Sequence, residues 1–180
     1  MADQVVLLDA AGQPSGTADR AGVHHRDTPY HLAFSSYLFD DRGRVLLTRR
    51  ALGKPTWPGV WTNSCCGHPR PREAPRDAVV RRVADELGHP PSELRLVLES
   101  FSYRAVDPSG IVEHELCPVW VGRFDPTRLA PDPDEVMEVS WVEWPLLLRI
   151  AAEASELLSP WAVLQVRLLA AALPIQEGGA

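Results

Sequence analysis

The chain has 180 residues, of which 45% are hydrophobic and 23% are charged, and its formal net charge is −6. This length and composition are typical of one globular domain, residues 1–180, and leave no room for a second full domain. The acidic balance excludes the basic surface expected of a nucleic-acid-binding protein, so any anionic ligand should be small.

Neither end of the chain has the pattern of a targeting or membrane segment. The N-terminus lacks a basic region, and its apolar run at residues 5–8 is too short for a signal peptide. The apolar stretch 161–173 contains Gln165 and Arg167 and is shorter than the roughly 20 residues that cross a bilayer. Three cysteines without a CxxC pair favour reduced thiols. We therefore expect a cytoplasmic protein that does not bind membranes.

The first half of the chain predicts three strands and a helix. Residues 5–8 and 31–39 predict strands, and a turn at 40–43 leads to a hairpin partner at 45–48. Residues 75–87 predict a helix because apolar residues recur every four positions, with a proline suited to its first turn and Gly88 suited to its end.

The second half predicts a hairpin, a further strand and two helices. Residues 94–103 and 111–124 flank the turn sequence Asp107-Pro-Ser-Gly, which is typical of a hairpin. The segment 125–135 is acidic and proline-rich, and we interpret it as a solvated loop. The remaining elements are a strand at 136–144 and helices at about 145–154 and 159–173.

Three histidines and two glutamates together favour a metal site. His24, His31 and His68 with Glu113 and Glu115 would supply nitrogen and oxygen ligands suited to Mn²⁺, Zn²⁺ or a related divalent ion. Glu113 and Glu115 lie two apart on a predicted strand and so face the same side. Each residue alone is more simply explained as a surface residue, but all five together, with the glutamates inside an apolar strand, favour a metal.

The predicted helix carries a second metal-binding pattern. Gly67, Glu73 and the stretch 81–88 resemble the Nudix box, a loop and helix that holds Mg²⁺ against a diphosphate. Arg82 stands where the hydrolase pattern has a glutamate, and this change should weaken the Mg²⁺ cluster that diphosphate hydrolysis needs. Glu86 can still hold one Mg²⁺, and Arg82 becomes a candidate phosphate ligand. The alternative is a surface helix with i,i+4 ion pairs.

Cations and a cysteine complete the candidate residues. Arg50 and Lys54 precede the Trp-rich segment 57–61, so cations and indoles should border one cavity. Cys66 has an ordinary thiol pKa of about 8.5, and it can transfer protons at neutral pH only if its surroundings tune it. We interpret Cys65 and Cys117 as buried apolar residues.

Together these residues resemble type 1 isopentenyl-diphosphate isomerase, whose bacterial form has the Nudix fold without Nudix hydrolysis. The resemblance covers nearly the whole chain and implies an α+β fold, an α/β/α sandwich with a mixed sheet flanked by helices. The motifs that carry it are His31-Leu-Ala-Phe-Ser-Ser, Thr48-Arg-Arg-Ala-Leu, Trp57-Pro-Gly-Val-Trp-Thr-Asn-Ser, Cys66-Gly-His-Pro, Tyr103-Arg-Ala, Asp107-Pro-Ser-Gly-Ile-Val-Glu-His-Glu, Asp134-Glu-Val-Met and Ser159-Pro-Trp.

The resemblance implies an isomerase of isoprenoid biosynthesis. It would convert isopentenyl diphosphate to dimethylallyl diphosphate by adding one proton and removing another, through a tertiary carbocation. Cys66 and Glu115 would lie on opposite faces of the isoprenoid chain and exchange acid and base roles, and Tyr103 would assist Glu115. Trp161 would stabilise the carbocation with its π face, an interaction worth about 2 kcal/mol when desolvated.

The same resemblance implies two metals and a diphosphate site. The Mn²⁺ or Zn²⁺ ligands would be His24, His31, His68, Glu113 and Glu115. Mg²⁺ would be held by Glu86, the backbone carbonyl of Cys66 and the diphosphate. The diphosphate would contact Arg20, Arg50, Lys54 and Arg82, of which Arg20 stands where the bacterial family commonly has lysine. The expected partner is a small diphosphate molecule, and the expected state is a monomer.

Two other functions compete with the isomerase. One is a Nudix hydrolase acting on a nucleotide or prenyl diphosphate, against which Arg82 and the pairing of Cys66 with His68 both argue. The other is a metal-dependent module that binds small diphosphates without turnover.

Overall fold

Two mixed β-sheets divide the strands of the chain between them. The computed structural model describes residues 3–173. In this part of the chain one sheet has five strands in the order β2-β1-β3-β10-β9, and the other has seven, with β12-β5-β4-β11-β8 in sequence across it and two short strands, β6 and β7, paired with β5 and β4.

The strands and helices have the following bounds. The strands are β1 (Gln4–Leu8), β2 (Pro14–Asp19), β3 (His31–Leu32), β4 (Phe34–Phe39), β5 (Arg44–Arg50), β6 (Trp61–Thr62), β7 (Cys65–Gly67), β8 (Ser92–Leu98), β9 (Ser102–Val106), β10 (Val112–Leu116), β11 (Val119–Arg123) and β12 (Val136–Glu143). The helices are α1 (Pro75–Leu87), α2 (Trp144–Glu153) and α3 (Pro160–Ala172).

Three predicted strands are each split between the two sheets. The prediction of single strands at 31–39, 94–103 and 111–124 was wrong, because the chain passes from one sheet to the other within each of them. Pro118 lies at one of these breaks, and it has no N–H group with which to continue the ladder. The strands pair in parallel on both sides of the break. In one sheet His31 of β3 lies opposite Glu115 of β10, and in the other Ser35 of β4 lies opposite Val119 of β11.

Helices cover both faces of the seven-stranded sheet, as the α/β/α prediction requires. Side chains alternate along the strands, so Tyr37 and Leu38 on β4 belong to different core clusters. Leu38 packs with Val79, Val83 and other residues of α1, whereas Tyr37 packs with residues of α2 and α3. The α+β class predicted from the resemblance is therefore confirmed.

The predicted helix 75–87 is confirmed with the bounds expected from its pattern. Pro75 begins it, and Gly88 follows its last residue in the left-handed region, with φ +96°. The hairpin predicted around residues 107–110 is also confirmed, and its register places Tyr103 directly opposite Glu115. No helix within residues 3–173 is long and apolar enough to cross a membrane.

Three short strands were not predicted. β2 has no apolar alternation, and β6 and β7 have only two and three residues. β6 forms because β5 lies beside it, and β7 forms because β4 lies beside it. The sequence pattern of such short strands does not by itself specify a strand. They matter because the segment that carries β6 and β7 also carries Cys66 and His68.

We expect Gly88→Ala to destabilise the fold. A Cβ atom at this position would lie 2.8 Å from the Cβ of Ala130, and the backbone is in a conformation that L-residues adopt at a cost of about 1–2 kcal/mol. The free energy of unfolding in urea should fall by at least about 1 kcal/mol. Gly53→Ala is the control, because a Cβ there meets no described atom within 4 Å. Equal destabilisation by both substitutions would contradict the prediction.

Candidate active site

A cleft of about 250 Å³ collects most of the predicted functional residues. Those that line it are Arg20, His24, Arg50, Lys54, Cys66, His68, Arg82, Glu86, Tyr103, Glu113 and Glu115. The other two, His31 and Trp161, are 0% and 1% exposed. A larger cavity of about 620 Å³ adjoins Trp144 and Leu173 and contains none of the predicted residues.

Three imidazoles converge on one carboxylate oxygen. Oε1 of Glu115 lies 3.1 Å from Nε2 of His68, 3.4 Å from Nε2 of His31 and 3.6 Å from Nε2 of His24. Nδ1 of His31 lies 2.8 Å from the carbonyl oxygen of Pro29. When Nδ1 donates its proton to this carbonyl, Nε2 is left with a lone pair, which is how a metal-binding histidine is commonly oriented.

The donors of this cluster fit a divalent metal ion. The candidate ligand atoms of His24, His31, His68 and Glu115 all lie within 4.8 Å of one another. Nε2 of His24 is buried and has no hydrogen-bond partner in the described part of the chain. A buried nitrogen without a partner is costly unless something binds it. Three nitrogens and a carboxylate oxygen are ligands that Zn²⁺ and similar ions accept.

Glu113 lies beside this cluster but outside it. One of its oxygens accepts a hydrogen bond of 2.7 Å from the hydroxyl of Thr56, and the other lies 2.8 Å from the hydroxyl of Tyr103. The prediction that Glu113 and Glu115 face the same side is confirmed, since the Tyr103 hydroxyl also lies 2.8 Å from Glu115. The structure does not bring Glu113 into the group of converging ligand atoms.

Tyr103 and the two glutamates share a limited number of protons. Tyr103 has one hydroxyl proton, so both of its contacts are hydrogen bonds only when one carboxyl group is protonated. Burial and the charge of Glu115 raise the pKa of Glu113. Burial also acts to raise the pKa of Glu115, but its three imidazole partners hold that pKa well below the ordinary value. Of the two carboxyl groups, Glu113 is therefore the one that takes up a proton first as the pH falls.

Cys66 faces the cleft as a protonated thiol. Its Sγ donates to Oδ1 of Asn63 at 3.1 Å and lies 3.5 Å from Oγ of Ser35. Burial raises the pKa of the Cys66 thiol to about 11, although a hydrogen bond with Ser35 acts in the opposite direction. Cys65 and Cys117 are buried, as predicted for apolar residues. At neutral pH, Cys66 can thus act as an acid.

The cations of the cleft are engaged by neighbouring groups. Arg50 donates to the carbonyl and hydroxyl oxygens of Thr56. Lys54 pairs with Glu135, and Arg82 pairs with both Glu86 and Glu135. Arg20, at the mouth, pairs with Asp3 at 2.7 Å and its side chain is 40% exposed.

Glu135 corrects one interpretation made from the sequence. We interpreted segment 125–135 as a solvated loop, but the side chain of Glu135 is only 18% exposed and joins Lys54 to Arg82. Sequence reasoning also missed Thr56, which contacts both Arg50 and Glu113. The spacing of apolar residues could not reveal Thr56 or Glu135, because each lies in a loop and not in a helix or strand. The motif Asp134-Glu-Val-Met was the available signal for Glu135.

Trp161 lies behind Tyr103. Their ring centroids are 5.6 Å apart, and the guanidinium of Arg50 lies 5.9 Å from the centroid of the Trp161 ring. The indole therefore has a cation over its face.

Comparison with known proteins identifies the family. Residues 29–161 match the NUDIX domain family. A Mycolicibacterium vanbaalenii protein named isopentenyl-diphosphate Delta-isomerase is 57% identical over 171 residues, covering 95% of this chain and 93% of the relative. A Cutibacterium acnes protein of the same name is 54% identical, covering 96% of this chain and 90% of the relative. The chain belongs to the isopentenyl-diphosphate Delta-isomerase family.

Solved structures show the same fold at much lower identity. The DR0079 protein of Deinococcus radiodurans aligns with a TM-score of 0.70 at 20% identity, covering 92% of this chain and 98% of its own. A MutT protein of Methanosarcina mazei aligns with a TM-score of 0.62 at 20% identity, covering 79% and 94%. The isomerase family therefore shares its scaffold with MutT proteins, and Cys66 and His68 are placed on a NUDIX frame.

We expect His24→Ala to weaken Mn²⁺ binding at least tenfold, because it removes one of three converging nitrogens. His114→Ala is the matched control, since His114 lies on β10 between Glu113 and Glu115 but contacts the ring of Tyr30 instead. Isothermal titration of the apoprotein with MnCl₂ measures both. The metal cluster would be excluded if the two variants bound Mn²⁺ with equal affinity.

Proposed function

We propose that this chain interconverts isopentenyl diphosphate and dimethylallyl diphosphate in isoprenoid biosynthesis. One observation supports this proposal above the others: a partly buried thiol, Cys66, and a carboxylate with its phenol partner, Glu115 and Tyr103, line the same cleft. Moving a double bond by one position requires one proton to be delivered and another to be removed. Two proton-transfer groups in one cleft meet this requirement.

Cys66 and Glu115 are the proposed acid and base. For a substrate lying between them, one group protonates the double bond and the other takes the proton from the neighbouring carbon. The roles exchange in the reverse direction. Burial keeps the Cys66 thiol protonated, and Tyr103 can pass a proton to or from Glu115 through its 2.8 Å contact.

The carbocation between the two steps needs a site that excludes water. Trp161 is 1% exposed and Tyr103 is 8% exposed, so aromatic carbon fills the wall behind the proton-transfer groups. The indole face already accepts the cation of Arg50, which supports its proposed role with a carbocation.

The proposed metal ligands are the converging residues and Glu86. His24, His31, His68 and Glu115 would hold Mn²⁺ or Zn²⁺, and Glu113 would join them on losing its proton. Glu86 and the backbone carbonyl of Cys66 would hold Mg²⁺ with the diphosphate. When bound, such ions withdraw electron density from their carboxylate ligands and neutralise diphosphate charge.

The proposed diphosphate ligands are the cations of the cleft. Lys54 and Arg82 would exchange contacts with Glu135 for contacts with phosphate oxygens, and Arg50 would reach from the wall near Thr56. Arg20 would act at the mouth, where its partial exposure leaves it free to move from Asp3.

A cytoplasmic location and a monomeric state belong to the same proposal. Three free cysteines are in keeping with a reducing compartment.

Incubation with isopentenyl diphosphate in deuterated water is the direct test. With Mg²⁺ and Mn²⁺ present, proton and phosphorus NMR should show dimethylallyl diphosphate that carries deuterium and keeps its diphosphate intact. Released phosphate would instead identify a hydrolase. No change in a metal-loaded sample that binds the substrate would identify a binding module.

Cys66→Ala and Glu115→Gln should each lower kcat by at least about 10²-fold, the usual contribution of a positioned acid or base. Substrate binding to Cys66→Ala should change little, because the thiol makes no diphosphate contact. Isomerisation by Cys66→Ala at the wild-type rate would refute this role.

A further inference from the structure

Asn63 is a fully buried residue that none of the functional assignments above uses. Its side chain is 0% exposed and lies between β6 and β7. Three donors point at its carbonyl oxygen Oδ1: the hydroxyl of Thr62 at 2.8 Å, the thiol of Cys66 at 3.1 Å and the indole Nε1 of Trp161 at 3.1 Å. Two proposed functional residues therefore share one hydrogen-bond acceptor.

The orientation of the Asn63 amide is determined by its neighbours. Nδ2 donates to the carbonyl oxygens of Ser36 at 3.2 Å and Cys65 at 2.9 Å. Turning the amide over would place its oxygen against two carbonyl oxygens and its NH₂ group against an indole N–H. Only the observed orientation satisfies all the groups around it.

The same network anchors the helix that carries Trp161. The Thr62 hydroxyl lies 2.8 Å from Oγ of Ser159, which caps the N-terminus of α3. The backbone N–H of Ser159 also donates to the carbonyl of Trp61. The distance between the β6–β7 segment and the start of α3 is thus fixed by direct hydrogen bonds.

We propose that Asn63 is a positioning residue that holds the Cys66 thiol and the Trp161 indole in fixed orientations beside the same substrate. This inference rests on the roles proposed for Cys66 and Trp161. Rotation about the Cα–Cβ bond of Cys66 places its sulfur, and the hydrogen bond to Oδ1 selects one rotamer. The bond to Nε1 fixes the plane of the indole ring. A change of about 1 Å in such groups can cost 10²-fold in rate.

Asn63→Leu tests the proposal, because it keeps the branched shape of the side chain and removes the acceptor. We expect kcat to fall about 10–100-fold while KM changes less than about threefold. In an ¹⁵N-correlated NMR spectrum, the Trp161 Nε1–H signal, assigned with Trp161→Phe, should move away from its wild-type position. Alkylation of Cys66 by iodoacetamide at one fixed pH should change in rate.

Ser64→Ala is the matched control. Ser64 is also fully buried and makes two hydrogen bonds, with Leu38 and Leu46, but none with Cys66 or Trp161. It should lower thermal stability without changing kcat or the Trp161 signal. Asn63→Asp keeps an acceptor oxygen and should recover at least part of the lost kcat. Asn63→Ala serves in place of Asn63→Leu if the latter does not fold.

The outcomes separate this inference from the proposed function. If the wild-type protein isomerises the substrate and Asn63→Leu has the same kcat, the positioning role of Asn63 is overturned and the proposed function is not. Equal losses of kcat in Asn63→Leu and Ser64→Ala, with the Trp161 signal unmoved, would also overturn it. Absence of wild-type isomerisation would refute the proposed function, whereas the NMR and alkylation measurements would still report whether Asn63 orients the two side chains.

Discussion

Parallel pairing between the two split segments 31–39 and 111–124 is the constraint on which the rest of the structure depends. β3 and β4 run beside β10 and β11, and both pairs leave one sheet and enter the other at the same level. Polar side chains lie on both sides of the break. His31 and Glu115 are paired on one side of the break, and Ser35 on the other side pairs with Cys66 of β7.

Buried polar groups in this cleft are almost all matched by a partner. Thr56 and Tyr103 both contact the carboxyl group of Glu113, and Asn63 accepts a hydrogen bond from Trp161. Such networks rigidify a site because removing one member leaves others unsatisfied in a low dielectric. Within residues 3–173, Nε2 of His24 is the exception in the converging group because it has no hydrogen-bond partner, and it lies where a metal ligand is expected.

Much of the fold and of the site was predictable from local patterns, and the failures have a common physical cause. The helix 75–87 and the hairpin around residues 107–110 were predicted because their caps and turn residues are local signals. The breaks within strands 31–39 and 111–124 were missed, since apolar alternation does not reveal which sheet a strand joins. Glu135 was misinterpreted because its partners, Lys54 and Arg82, are distant in sequence. Long-range partners of this kind are visible only when the chain is folded.

The ion pairs inside the cleft have a consequence for selectivity among anions. Lys54 and Arg82 contact Glu86 and Glu135, so two positive charges are balanced by two negative ones. A small anion such as chloride or inorganic phosphate would have to break these pairs and would leave buried carboxylates without partners. A diphosphate that carried a divalent cation would bring a new partner for a displaced carboxylate. Simple anions must therefore compete with carboxylates for Lys54 and Arg82.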